Sequence, residues 1–524
     1  MASNNLSSLR TFLNNIPNNA IYNLSITNIN ELDTDMSMMF MSYYNLYSIL
    51  NLSNTHNVEF MGLLFKSCYN LRTISNFNTD NVTSMWQMFE GCFNLTEVPN
   101  FNTSKVIDMS RMFSSCETLI NIPNFNTINV VNMDDMFLYC DNLTTVPNFN
   151  TSNVINMRQM LCFCNNLTSV PNFNTINVTD MLQMFGYCYN LIEIPNFNTS
   201  KVINMGKMFK SCNNLTSVPN FNTINVTNMS EMFAYCNVLT EVPNFNTSNV
   251  TNMANMFLCS VWSPTDGDIY GKLNIIPNFN TYNVIDMSYM FYGQEKITLI
   301  PNFIINKVKN MSHMFQECHN LTEVPFHNIG GANLTDTSYM FCNCHNLITV
   351  NNCYLNLVTN AAYMFCNCQN LTEFPMYYYT KWNYLTNIQN MFYGCSNLSA
   401  NGYSDITQYL PNANQLTNQY LSNAGLNVSN FTIDQLIKLN NKGYLDAIVD
   451  ATTVYNIYYG DPYEGMTNEN IALALAQETY GDDSVTYSIA NTISDTEYIV
   501  QVSYNAETLC FYQVNTQTRM VKEY

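Results

Sequence analysis

The chain has 524 residues, of which 38 are acidic and 18 basic, for a net charge of −20. Hydrophobic residues make up 47% and charged residues only 11%, so disorder through lack of apolar material is excluded. A surface that tracks phosphates needs clustered Lys and Arg, so this balance also argues against nucleic-acid binding.

The first residues, MASNNLSSLRTFLNNIPNNAIYN, lack a basic start followed by an apolar stretch. They read as residues 1–35 capping an array, not as a secretory signal. No apolar run reaches the ~18 residues of a membrane span, so no membrane insertion is expected. Synthesis in the cytoplasm is the matching expectation. Triplets such as Asn94-Leu-Thr follow from Asn and Thr richness (88 residues are Asn) and are not read as glycosylation sites.

From residue 36 to 400 the chain repeats a unit of 24 residues, about fifteen times. One copy, Pro123 to Val146, reads PNFNTINVVNMDDMFLYCDNLTTV. Val130, Met133, Phe137 and Cys140 are spaced 3, 4 and 3, the helical period. The following Leu-Thr-Thr-Val suits a short strand, which Pro147 stops because proline cannot donate to a ladder. The expected fold class is therefore α/β: a solenoid of strand-helix coils sharing one core, with the strands in one parallel sheet. The columns Asn126, Asn150, Asn174 and Thr127, Thr151, Thr175 are expected to satisfy backbone groups of neighbouring coils.

Twelve cysteines from Cys68 to Cys395 share one phase with the apolar columns and read as buried, reduced thiols. Cys318-His319, Cys342-Asn-Cys344-His345, Cys353 and Cys366-Asn-Cys368 crowd together, but without the ligand spacing of a zinc knuckle, so no metal is assigned. The five histidines fall in no catalytic motif, and neither an enzyme nor a cofactor is expected.

Two breaks in the period are the candidate binding sites. The first is a ten-residue insertion between Phe257 and Phe291, with Trp262, Asp266, Asp268 and Tyr270. The second, PMYYYTKWNY, carries Tyr377, Tyr378, Tyr379, Trp382 and Tyr384. Trp and Tyr offer rigid amphipathic surface, and insertions in repeat arrays map to one face. Residues 401–460 read as a helical cap or linker. Residues 461–524 read as a small α+β domain, with a helix at Asn468 to Tyr480 and three strands, a shape that faintly resembles PepSY-like or cystatin-like modules. That domain is a candidate for homo-oligomerisation.

The runs FNTSNVTNMANMF, ending at Phe257, and FNTSKVIDMSRMFSSC resemble BspA-type leucine-rich repeats. More narrowly, they are similar to the Mycoplasma-type surface repeat F-x-T-S-x-V-x-x-M-x-x-M-F-x-x-C-x-x-L. The resemblance implies a leucine-rich-repeat solenoid and a role in surface adhesion. The sequence shows no export signal, lipid-attachment site or wall anchor. A bacteriophage virion protein, such as a tail fibre or receptor-binding component, would meet a surface without them. The expected partners are then a host-surface glycan or protein and other virion proteins. A bacterial cell-surface adhesin and a cytoplasmic interaction scaffold are the alternatives.

Overall fold

The computed structural model describes residues 11, 15, 21–26, 34–263, 267–325, 333–350, 357–372 and 384–397, and the backbone of residues 486–494, 497–504, 507–515 and 520–523. Within 34–397 the chain winds into stacked coils. A single-residue parallel bridge recurs in every coil, running Ser84 to Asp108 to Asn132 to Asn156 and on to Asn387.

The segment expected to be helical is not a helix. In the coil of Met133, the N–H groups of Met133, Asp135, Phe137 and Tyr139 donate to the carbonyls of Asn156, Arg158, Met160 and Cys162 in the next coil, at 2.9–3.1 Å. The N–H groups between them, of Met136, Leu138 and Cys140, donate three residues back, to Met133, Asp135 and Phe137, at 3.1–3.3 Å. An α-helix would send each of these bonds four residues back within its own coil. Here four of the seven join neighbouring coils and three close overlapping turns. Asp135 (φ 54°) and Tyr139 (φ 60°) hold the positive φ that type II turns require at their third residue. The same two columns recur at Arg111 and Ser115, Gln159 and Phe163, and Lys207 and Ser211. Successive turns reproduce the 3-4-3 spacing of buried positions, which is why the pattern mimics a helix.

The parallel sheet is also curtailed. Strands β1 (Tyr22–Ile26), β2 (Leu46–Leu52) and β3 (Thr73–Ile74) pair in parallel at the N-terminal end. There Ser75 stands where later coils carry Pro99 and Pro123, and its N–H donates to Ile49 O at 2.8 Å. With proline at that position the donor to the preceding coil is lost, and segment 95–98, whose own coil and the next both carry it, forms no strand. The insertion forms an antiparallel hairpin, β4 (Ser260–Ser263) and β5 (Gly267–Tyr270). A further parallel pair is β6 (Glu323–Val324) with β7 (Thr349–Val350).

Near the C-terminus, β8 (Thr486–Ser494), β9 (Glu497–Tyr504), β10 (Glu507–Asn515) and β11 (Met520–Glu523) form one antiparallel sheet in the order β11-β10-β9-β8. The helix expected at 468–480 and the helical cap at 401–460 lie outside the described residues. The expected strand-helix coils and α+β domain are thus corrected to stacked turns and an all-β sheet among the described residues.

One core runs the length of the array, from Leu24 to Cys395. Its spine is a stack of phenylalanines. Phe113 and Phe137 lie 5.7 Å apart and Phe113 and Phe125 6.2 Å apart, each pair nearly coplanar. The cysteine column is buried, and each thiol donates to a carbonyl of the spine column in the preceding coil, as Cys116 does to Phe89 O at 3.2 Å and Cys188 to Leu161 O at 3.1 Å. All sixteen described cysteines are free.

Buried threonines stitch the coils on another side. Thr127 Oγ1 donates to Asn150 O, and Thr199 Oγ1 to Asn222 O, each at 2.9 Å. The preceding asparagine closes its own turn, with Asn126 Oδ1 accepting the Ile128 N–H. Replacing buried Thr199 by Val keeps the shape but leaves the Asn222 carbonyl one donor short. The expected cost is about 1–2 kcal/mol, read as faster hydrogen exchange in the coils at 197–228, and the exposed Thr227→Val should cost far less.

Candidate functional site

The turn-rich side of the coils presents side chains in columns. Between residues 270 and 369 three of those columns carry aromatic and titratable groups. In the first, Tyr289 stacks on His313 at 4.2 Å, His313 on Tyr339 at 4.6 Å and Tyr339 on Tyr363 at 4.6 Å, all within 8° of parallel. Each ring sits at the positive-φ position of its coil, two residues before the core phenylalanine, so the coil step brings the rings face to face.

In the third column His319 stacks on His345 at 4.8 Å, and Tyr270 meets His319 edge-on at 4.9 Å. Between these two columns runs a hydrogen-bonded row. His319 Nε2 lies 2.9 Å from Glu317 Oε2, Asn343 donates to the other Glu317 oxygen, and Asn367 Nδ2 donates to Asn343 Oδ1 at 2.8 Å.

Burial lowers the His313 basicity, opposed by its bond to Gln316. Burial also lowers that of His345, reinforced by the neighbouring His319 and opposed by Glu317. Burial raises the Glu317 carboxyl, but hydrogen bonds from His319 and Asn343 outweigh it and leave it below the ordinary range. Beneath the row, a hydrogen bond to Cys366 together with burial pushes the Cys342 thiol up. Among the described residues no group of three or more His, Cys, Asp or Glu is placed to hold a metal ion.

Stacked rings cover each other's faces, so this patch offers edges: phenol hydroxyls, imidazole nitrogens and amides at one coil step after another. Such a row suits an extended polar ligand lying along the array.

The residues singled out from sequence are placed as follows. Tyr270 joins the patch through His319. Trp262 and Asp268 are opposite each other in the β4–β5 register. Asp266, Tyr377, Tyr378, Tyr379 and Trp382 lie outside the described residues. Tyr384 is exposed. The Tyr289, His313, Tyr339 and Tyr363 stack was missed by sequence reasoning, although the shared phase two residues before Phe291, Phe315, Phe341 and Phe365 marks it.

Stacked coils of a short repeat around one apolar spine, bridged in parallel from coil to coil, define a repeat solenoid of leucine-rich type. The chain belongs to the family described as "Mycoplasma protein of unknown function, DUF285", which matches at residues 11–120, 34–145, 91–192, 118–218, 163–263, 268–382 and 328–424. Among solved structures, a leucine-rich repeat protein from Eubacterium ventriosum is similar at 16% identity and a TM-score of 0.35, over 71% of this chain and 90% of that one. The Toll–Spatzle complex of Drosophila matches at 13% identity and a TM-score of 0.20, over 68% of this chain and 42% of that one. The TLR13–ssRNA13 complex matches at 13% identity and a TM-score of 0.18, over 72% of each chain. No curated protein matches the chain. Among the described residues no helix is long and apolar enough to cross a membrane.

Proposed function

We propose that this is a non-enzymatic binding protein that holds an extended surface ligand, a glycan or a protein segment, along the Tyr289–Tyr363 face. The observation that carries the reading is the unbroken Tyr289, His313, Tyr339, Tyr363 stack beside the His319–His345 pair. The rings are locked by stacking, so little side-chain freedom is lost when a ligand docks. The family description names a Mycoplasma protein, so we take the bacterial adhesin reading over the virion component expected from sequence. The role is then adhesion.

The test is binding of the full chain to a glycan array and to intact bacterial cells. The double variant His313→Ala, Tyr339→Ala is expected to weaken binding at least about tenfold, because alanine scans concentrate binding energy in a few aromatic anchors. Retention at full strength by this variant, with its thermal midpoint near that of the parent, would remove the face from the reading.

A further inference from the structure

A second face of the array is built differently. In each coil the residue after the buried threonine and the residue after the buried valine point outward. Seven isoleucines occupy these two columns, Ile107, Ile128, Ile155, Ile176, Ile203, Ile224 and Ile285, each 44–52% exposed and the first six in alternation. In the first column isoleucine alternates with a small residue: Ser104, Ile128, Ser152, Ile176, Ser200, Ile224, Ser248. The face therefore repeats every two coils, as bumps and gaps, while the core beneath repeats every coil. The insertion does not interrupt it, because Asn252 bridges directly to Asp286 and Asn283 Nδ2 reaches Ser248 O at 2.7 Å.

Charge on this face is sparse. Lys105, Lys201 and Lys307 stand four coils apart in one column, each leaning on the asparagine of the preceding coil. None of the three makes an ion pair among the described residues, although Lys105 acts electrostatically on Asp80 one coil away. Asp80 lies in the first column, Asp108, Asp180 and Asp286 lie in the bridge column beside the isoleucines, and Lys309 is exposed in the second column.

We propose that this face docks on the same face of a second copy of the chain, antiparallel, about a dyad between the Asp180 coil and the Lys201 coil. In that register Ile176 lies over the partner's Ser200, Ile128 over the partner's Ser248 and Ile224 over the partner's Ser152. Every bump in that column meets a gap. Lys201 lies beside the partner's Asp180, Lys105 beside the partner's Asp286, and Lys307 beside the partner's Asp80. No other antiparallel register brings all three lysines opposite acids. A parallel dimer about the array axis would set Lys105 and Lys201 against their own copies, so charge selects the antiparallel arrangement. The self-complementary face has the isologous form that a closed two-fold interface requires.

Ten coils at about 4.8 Å and a width of up to about 20 Å give roughly 900 Å² per copy as an upper figure. A standard stable interface needs about 800 Å² per partner.

Sedimentation of the full chain over a micromolar range is the test, with three variants. The parent is expected to dimerise and to weaken in high salt. Lys201→Asp places like charges on both sides of the dyad and should raise the dissociation constant at least about tenfold. Adding Asp180→Lys to it should restore the parent value. The pair Ile128→Cys, Ser248→Cys should give a covalent dimer under mild oxidation, since within one chain these positions are five coils, about 24 Å, apart and cannot bridge. The pair Ile128→Cys, Ser200→Cys should not. A chain that is monomeric throughout, or a dimer indifferent to both charge variants and to the choice of cysteine pair, overturns the proposal. So does a glycan whose binding Ile176→Asp abolishes while the chain stays monomeric, because the face then belongs to that ligand.

Discussion

Phe209→Ala is expected to destabilise its part of the array by about 3–5 kcal/mol, the range for removing a fully buried ring that leaves a cavity. Phe209 is wholly buried, stacked 5.7 Å from both Phe185 and Phe233 and 6.2 Å from Phe221. The cavity cannot close easily, because backbone bonds on both sides fix the coil spacing, including Phe209 N to Met232 O at 3.0 Å. Phe209→Leu should cost much less, about 1–1.5 kcal/mol, as a conservative apolar exchange. The chain itself contains that exchange: Leu161 occupies the column and is fully buried. A long array need not unfold in one step, so hydrogen exchange read coil by coil is the suitable measurement. Amides at 205–212 should exchange about a hundredfold faster or more in the Ala variant, with the effect fading over the neighbouring coils. Protection equal to the parent would mean that the phenylalanine spine is not what holds the coils together.

The sequence revealed the period, the buried columns and the role of the threonines, because each of these is a matter of composition repeating in phase. Val130, Met133, Phe137 and Cys140 are all buried, and Thr127 does satisfy a backbone carbonyl of the next coil. What stayed hidden was where the backbone hydrogen bonds go. Type II turns usually announce themselves through Gly or Asn at the left-handed position. Here that position holds Arg111, Gln159, Lys207, Tyr139 and Tyr187. Ladder bonds to both neighbouring coils compel the conformation, and an isolated repeat would have no reason to adopt it. Apolar spacing alone then reads as a helix.

The aromatic face was illegible for a related reason. His319 and His345 were weighed as metal ligands by residue type, whereas their placement is decided by stacking at the coil step. The two periodicity breaks drew attention because Trp and Tyr cluster there. The ring column runs through regular coils and needed the phase of every tyrosine to be compared.

The left-handed columns also supply the second large effect. Gly91 (φ +74°) and Gly293 (φ +72°) share a column with Ser115, Tyr139 and Phe163, which reach φ 60° without glycine. Gly91→Ala should therefore cost only about 1 kcal/mol, the left-handed strain of one residue, because an added Cβ would meet nothing nearer than Ser67 Cα at 3.5 Å.

Gly293 has different surroundings. The β4–β5 hairpin leaves the array at Cys259 and returns at Gly271, whose N–H donates to Gly293 O at 2.9 Å. A Cβ on Gly293 would press on the Cys259 carbonyl, with its carbon 2.7 Å away, and on Ser260 Cβ, also at 2.7 Å. Both are anchored, since Cys259 N donates to Tyr292 O at 2.8 Å and Ser260 begins the hairpin. Gly293→Ala must then add a backbone displacement to the turn strain, for an expected total of about 3 kcal/mol or more. Exchange protection at 257–260 and 291–294 reports the result. If Gly293→Ala matched Gly91→Ala in cost, the hairpin could not be rooted against this coil. Tyr270, whose place beside His319 depends on that root, would then have to be reached from another direction.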